Sequence, residues 1–489
     1  MNTVFPDEIG NWVAGGETFA TGDRCFDKVS PHNGQVLCSV TRSDKAEVAE
    51  AVRAARRAWP MWSNTNPVQR GQLLHDFAMG IKARREEVAA IVAAETGKAP
   101  SEALGETDGA IALALFYAGE GQRLYGRTTT SGVDGKSAMT VRQPLGVAGL
   151  IVAANTPIAN VAWKIFPALI CGNTVVLKAA EDTPATAWIV GSIAKVAGLP
   201  DGVLNIVQGY GEEAGTPLVE NPEVDVVSFT GSTAVGRRIA TTMAKRLGRV
   251  SLELGGKNAL VVCDDADMDN AVKWALLSAF SNAGQRCAAA SRIVVFESMY
   301  EEFRGRFVEA AKKLSLGPTD NDDLGPVINR QQLESMESAV ERALAGGARL
   351  LTGGQRLDGD AHQNGCYMMP TILEKVGRKD ELSKAEVFGP VTVLYSARDF
   401  HEAVEIVNDS PYGLTAAIHT KSVHRTGEFV NRVQTGVVMI NAGTYGSEPH
   451  MPFGGLKLSG NGTREPGTEA LDVYSNLKDV YTVILPDLV

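Results

Sequence analysis

From residue 146 onward the chain alternates short apolar runs with longer helical stretches, and this rhythm constrains the fold more than any other feature. The runs are "GVAGLIVAA" (146–154), "NTVVLKAA" (173–180), "GVLNIVQG" (202–209), "DVVSFTG" (225–231) and "RVSLELGG" (249–256). Between them, 157–171, 184–198 and 233–247 read as helices. Apolar strands joined by helices predict a parallel sheet covered on both faces. A second set opens at "SRIVVF" (291–296) and passes through helices at 299–315 and 330–346. It returns to strands at "PVTVLYSA" and "GVVMIN". Two α/β units therefore meet near Gly255 and Gly256. Ahead of both, residues 44 to 125 read as helices, with Val48, Val52 and Ala55 at helical spacing in "KAEVAEAVRAARRAWPMW". "KSAMTVRQPL" (136–145) and "DVYSNLKDVYTVIL" (472–485) fit neither unit and read as extended arms. Such edges pair with something, and another subunit is one candidate.

Bulk properties narrow the function. A chain of 489 residues predicts two or three domains. The net charge of −10, with no basic stripe, argues against nucleic acid. "MNTVFPDEIGNW" has no basic start and no apolar core, and "GVAGLIVAA" is far too short to span a bilayer, so no membrane partner is expected. Six cysteines (Cys25, Cys38, Cys171, Cys263, Cys287, Cys366) are scattered without a CxxC pair, which predicts reduced thiols in a cytoplasmic protein. The seven histidines show no ligand spacing, and no metal is expected.

Five places carry candidate chemistry. In "AANTPIANVAWKIF", Thr156 can cap a helix whose first residue is Pro157, which leaves Asn155 at the carboxyl end of a strand. Ligands bind there in open parallel sheets, and an amide could donate to a developing oxyanion, or simply close the turn. Lys178 and Glu181 of "VVLKAAEDTP" also end a strand. Glu181 could accept from both hydroxyls of an adenosine ribose and repel a 2′-phosphate, although a surface Lys–Glu pair explains the same residues. In "SFTGSTAVG", Gly231 and Ser232 make a turn into a helix whose N-terminus could hold phosphate; GxGxxG is absent. Glu253 in "VSLELGG" lies between Leu252 and Leu254, so burial should raise its pKa towards a general base's range. Cys287 in "FSNAGQRCAAAS" is either a small buried residue or a nucleophile whose pKa a helix N-terminus lowers to roughly 3.5–7.5.

Together these segments resemble the NAD(P)-dependent aldehyde dehydrogenase superfamily. "KAAEDTP", "GSTAVG", "LELGGKN", "GQRC", "EVFGPV" (386–391), "NDSPYGL" (408–414) and "PFGGLKLSGNG" (452–462) occur in the family's order, and the similarity runs over essentially the whole chain. The resemblance implies an α/β fold with a Rossmann-type NAD-binding domain (1–125 and 146–255), an α/β catalytic domain (256–454) and a strand-like oligomerisation arm (126–145 and 470–489). It makes Cys287 the nucleophile, Asn155 with the Cys287 N–H the oxyanion donors, and Glu253 the base that activates water. Lys178 and Glu181 would contact the adenosine ribose, Gly231 and Ser232 the pyrophosphate, and Glu386 and Phe388 the nicotinamide side. Thr156, Asn160, Trp163 and Arg286 would line the aldehyde tunnel, with Asn160 and Arg286 suiting a polar or anionic tail such as a semialdehyde's. A carboxylate on the protein is the other partner open to Arg286.

The expected cofactor is NAD rather than NADP, the partner a small aldehyde, and the assembly a homodimer or homotetramer. Aromatic-aldehyde oxidation, CoA acylation and a silent binding protein on the same fold are the competing readings. A cysteine hydrolase would want a histidine partner, and no histidine motif supplies one. Two departures stand out: Ala153-Ala154 where the family often has Pro-Trp, and Pro466 where glycine is usual.

Overall fold

The computed structural model describes residues 5–22, 24–357, 359 and 362–485. Residues 1–4 and 486–489 of the expected domain and arm lie outside the described residues.

After several short strands, four helices follow in succession: α1 (Lys45–Asn64), α2 (Pro67–Ala83), α3 (Arg85–Thr96) and α4 (Pro100–Glu120). α1 starts where Asp44 and Glu47 cap each other's backbone, and α2 and α4 both start at proline, whose missing N–H costs nothing there. α2, α3 and α4 share one core with α5 (Pro157–Ile170), α6 (Pro184–Val196) and one face of the first sheet, while the buried residues of α1 from Val48 to Ala55 pack on its other face.

That sheet contains β1 (Asn11–Val13), β2 (Gly16–Thr18), β3 (Val147–Ile151), β4 (Thr174–Lys178), β5 (Leu204–Val207), β6 (Val226–Thr230) and β7 (Arg249–Glu253), in the order β7-β6-β3-β4-β5-β1-β2. The five strands from β7 to β5 are parallel, as their apolar texture predicts, and every residue of β3, β4 and β5 is buried. β1 and β2 extend the sheet antiparallel. These two strands are absent from the sequence reading because they are short and of mixed polarity. From β3 the chain builds outward first through β4 and β5, then on the other side through β6 and β7. The reversal opens a crevice at the carboxyl ends of β3 and β6, which is where open α/β sheets bind ligands. Helix α7 (Thr233–Ala244) follows β6 at that crevice.

The second sheet runs β10-β11-β12-β9-β8-β13-β14, from β8 (Asn258–Val262), β9 (Ala290–Phe296), β10 (Arg349–Thr352), β11 (Thr371–Glu374), β12 (Val391–Ala397), β13 (Thr415–His419) and β14 (Val437–Ile440). Only β10 is antiparallel to its neighbour. The first sheet ends at Glu253 and the second begins at Asn258, so both glycines of the junction fall between them.

The two extended arms pair with each other. Lys136–Pro144 lies antiparallel to Ser475–Val483 over nine positions, from Ser475↔Pro144 to Val483↔Lys136, and Thr128–Thr130 covers its other side. Ser475–Val483 is therefore an outer strand.

Candidate active site

The turn after β3 divides two cavities. Ala153 and Ala154 line one of about 1250 Å³ at the crevice, whereas Asn155 and Thr156 line a separate one of about 420 Å³ that also holds Cys287. Without a bulky residue at 154, the wall on the crevice side is a methyl group. Pro466, the other departure, lines the smaller cavity.

Cys287 is carried on a tightly wound loop. Asn282, Ala283 and Gly284 all have left-handed backbone (φ 54, 51 and 68°), a conformation that is costly for the first two. A Cβ at Gly284 would lie 2.2 Å from the Gly389 carbonyl oxygen, so only glycine fits. The strain is held by hydrogen bonds. The Asn282 N–H donates to Glu102 Oε1 (3.1 Å), and Asn282 Nδ2 donates to the carbonyls of Asn155 (3.1 Å) and Gln285 (3.2 Å). Asn258 Nδ2 fixes the Cys287 carbonyl at 2.7 Å.

Asn155 faces this loop. Its Oδ1 accepts from Asn160 Nδ2 (3.2 Å), which sets the orientation of the amide, and its Nδ2 donates one hydrogen to the Gln285 carbonyl (2.9 Å). The second Nδ2 hydrogen has no partner among the described residues. Asn160 does not line the cavity as expected. Helix α5 turns it inward, where Nδ2 also donates to the Ala153 carbonyl and Thr156 Oγ1. Thr156 occupies the cap position of α5 but makes no side-chain cap bond.

The thiol departs from expectation. Burial pushes the Cys287 pKa up to about 12, and the negative charges of Glu386 and Glu253 add to it; Arg286 and the Ala288 N–H oppose. No helix begins at Cys287, because the next regular element is β9, so the lowering expected from a helix N-terminus is missing. A raised acid pKa keeps the neutral form, and the resting residue is a thiol. Iodoacetamide alkylation of Cys287, followed by mass spectrometry without nucleotide, should therefore rise about tenfold per pH unit through about pH 9. A plateau below about pH 8 would contradict this.

Glu253 ends β7 between buried Leu252 and Leu254, and neither carboxylate oxygen has a hydrogen-bond partner among the described residues. Burial first, then the charge of Glu465, raises its pKa well above the usual carboxylate range; Lys164 and Arg464 pull the other way. A Cβ at Gly454 would come within 2.8 Å of Glu253 Oε1, so this glycine leaves room for the carboxylate. Behind it, Lys164 Nζ donates to Glu465 Oε2 (2.8 Å) and Ser228 Oγ (2.7 Å), and Ser228 Oγ donates to Glu465 Oε1 (2.6 Å). Sequence reasoning misses this network because Lys164 and Glu465 are 301 positions apart.

At the larger cavity, Lys178 Nζ donates to Glu181 Oε2 (2.6 Å), and both residues line the wall. Lys178 is buried at the end of β4, while Glu181 is 41% exposed. Gly231 lines the same cavity, and a Cβ there would strike the Phe229 ring at 2.4 Å. Ser232 Oγ accepts the Val235 N–H (3.4 Å) at the start of α7. Its position caps the helix rather than lining the wall. Glu386 accepts the Gly256 N–H at 2.8 Å, and burial pushes its pKa up to about 7. A Cβ at Gly255 would lie 2.1 Å from Glu386 Oε2, so this glycine makes room for the carboxylate, whereas a Cβ at Gly256 would lie 2.6 Å from the Cys287 carbonyl oxygen. Phe388 has φ 58°. The sheet crevice, the helix N-terminus and the acidic group at a strand end fit a dinucleotide.

The smaller cavity has one aromatic wall and one charged wall. Trp163 meets Phe453 edge to face (5.4 Å), and the Arg286 guanidinium lies over the Tyr445 ring (4.9 Å). Arg286 Nη2 donates to Glu102 Oε1 (3.3 Å) and Nε to Ser281 Oγ (3.2 Å), so a protein carboxylate is its partner. It remains 24% exposed, and Nη1 makes no bond among the described residues. Gly105 and Gly109 of α4 face open space on the same wall. Lys98, Glu102 and Glu106 escape sequence reasoning, since their partners Asn155, Arg286 and Ile158 lie 57, 184 and 52 positions away.

Among the described residues, no group of three or more His, Cys, Asp or Glu could hold a metal ion, and no helix is long and apolar enough to cross a membrane.

The model of the aldehyde dehydrogenase family matches residues 19–480. The chain is 38% identical over 483 residues to alpha-ketoglutaric semialdehyde dehydrogenase of Bacillus subtilis, covering 98% of each chain. It is 38% identical to human retinaldehyde dehydrogenase 3 over 94% of this chain and 90% of that one. The crystal structure of betaine aldehyde dehydrogenase from Staphylococcus aureus in complex with NAD+ superposes with a TM-score of 0.95 at 33% identity, covering 98% of this chain and 95% of the other. With the family pattern running over nearly its whole length and the fold matched throughout, the protein belongs to the aldehyde dehydrogenase family and is an aldehyde-oxidising oxidoreductase.

Proposed function

We propose that the protein oxidises a semialdehyde with a polar or anionic tail to the carboxylic acid, using NAD and forming a covalent intermediate on Cys287. The observation that carries this reading is the 420 Å³ cavity in which the Cys287 thiol, the Asn155 amide and a partly exposed Arg286 meet. The Bacillus relative, named for a semialdehyde, supports the tail.

Cys287 gives its proton to solvent water in the open cavity and Sγ attacks the aldehyde carbon, while the free Nδ2 hydrogen of Asn155 and the Cys287 N–H hold the new oxyanion. Loss of one such donor typically costs about 2.7–4 kcal/mol. Collapse of the thiohemiacetal reforms the C=O bond, breaks the C–H bond and leaves an acyl thioester on Cys287. NAD, when bound, supplies the acceptor for the departing hydride. Lys178, Glu181 and Gly231 would hold the adenosine and pyrophosphate parts, with Ser232 supporting the turn and Glu386 and Phe388 on the nicotinamide side. Glu253 then takes a proton from water, the hydroxide adds to the acyl carbon, and Sγ leaves. Because water can serve as acceptor, acid should form without added CoA.

Glu181 in the cavity wall disfavours a 2′-phosphate, and the Staphylococcus relative holds NAD+. The test compares succinic and 2-oxoglutaric semialdehydes with benzaldehyde and a plain alkanal, using NAD and NADP. The semialdehydes and NAD should give the highest kcat/KM, and Glu181→Ser should narrow the gap between the nucleotides. A preference for an uncharged aldehyde would defeat the tail assignment; equal kcat/KM for the two nucleotides would defeat the Glu181 assignment.

The outer arm strand, with exposed Leu477, Tyr481 and Val483, supports a homodimer or homotetramer in which it packs on another copy.

A further inference from the structure

We propose that Lys98 and Glu106, buried in the wall of the substrate cavity, are positioning residues that hold the Asn155 turn in register with Cys287. The proposal rests on Asn155 being the oxyanion donor. Helix α5 begins one residue after the Asn155–Thr156 link, and its first N–H groups need acceptors that Thr156 does not provide. Glu106 of α4 provides them. Its Oε1 accepts from the N–H of Ile158 (3.0 Å) and of Ala159 (3.3 Å), a carboxylate placed at the positive end of a helix. Lys98 Nζ donates to the other oxygen of Glu106 and to the Asn155 carbonyl (2.8 Å).

A local serine or aspartate cap would serve the helix alone, and burying an ion pair is a costly substitute. The side chains of Lys98 and Glu106 are only 2% and 7% exposed. What the pair adds is its grip on the Asn155 carbonyl. Asn282 grips the same oxygen at 3.1 Å from the cysteine loop. That carbonyl is thus the joint between the turn that carries the amide and the loop that carries the thiol. A small misplacement of a catalytic group can cost about a hundredfold in rate, so the joint bears directly on turnover.

Lys98→Met, Glu106→Gln and the double variant remove the charges singly and together, and Lys98→Arg keeps the donor. Each is assayed with succinic semialdehyde and with a plain alkanal, alongside iodoacetamide alkylation of Cys287, which forms no oxyanion. We expect kcat to fall at least about tenfold with both aldehydes, alkylation to stay within about twofold, and Lys98→Arg to recover part of the loss. Unchanged kcat, a loss confined to KM for the charged aldehyde, or alkylation falling in parallel would overturn the proposal. Asn155→Ala, run beside them, separates the two levels. If it is slow while Lys98→Met is not, only the positioning role falls; if it keeps wild-type kcat, the oxyanion assignment falls and takes this one with it.

Discussion

Cys287→Ala should abolish reduction of NAD by every aldehyde tested, a loss of at least about 10⁴-fold, while NAD still binds with unchanged affinity. Among the six cysteines, only Cys287 lines the cavity beside Asn155. Cys38, Cys171, Cys263 and Cys366 are buried elsewhere, and Cys25 is exposed on an outlying strand, so no other thiol can stand in. The crevice residues Lys178, Glu181 and Gly231 line a different cavity and should be undisturbed. Nucleotide binding, read by fluorescence or calorimetry, separates loss of chemistry from loss of fold. Turnover near the wild-type rate in this variant would remove the nucleophile from the account.

The second large effect belongs to Glu253. Glu253→Gln keeps the volume and removes the proton acceptor, so acylation should proceed while hydrolysis stalls. Rapid mixing should show a burst of about one reduced nucleotide per subunit, followed by a steady rate lowered by about 10²–10⁴-fold. The wild-type pH profile follows from the same group. Because its pKa is raised well above the ordinary range, Glu253 stays protonated, and unable to accept, through the pH range where an ordinary carboxylate is already ionised. Turnover should therefore climb with pH above the usual carboxylate range, and the variant should lose that limb. A variant that hydrolyses at the wild-type rate would assign the base elsewhere.

The parallel strands were legible because burial on both faces makes them apolar throughout, as "VVLK" and "VVSF" show. The antiparallel additions β1 and β2 were not, since three residues of mixed polarity carry no periodicity. Asn155, Glu253 and Cys287 could be picked out because each is a reactive type at a strand end or in a glycine-rich turn. Their environment could not. Whether burial or a helix end dominates at Cys287 depends on what packs around it, and burial prevails. Asn160 shares a helical face with Thr156 and Trp163, yet the hydrogen-bonding demand of the preceding turn draws it inward. Arg286 finds Glu102, a residue 184 positions away, and Lys98 reaches Asn155 across 57. Partners at such separations leave no local signature.

The account depends on an acyl group residing on one sulfur. Intact-protein and peptide mass spectrometry of Glu253→Gln, mixed with NAD and succinic semialdehyde and quenched in acid, tests it most directly. An adduct of the acyl group's mass should map to the peptide carrying Cys287 and require both NAD and aldehyde. Oxidised product formed with Cys287 unmodified throughout, or the acyl group found on another residue, would contradict it.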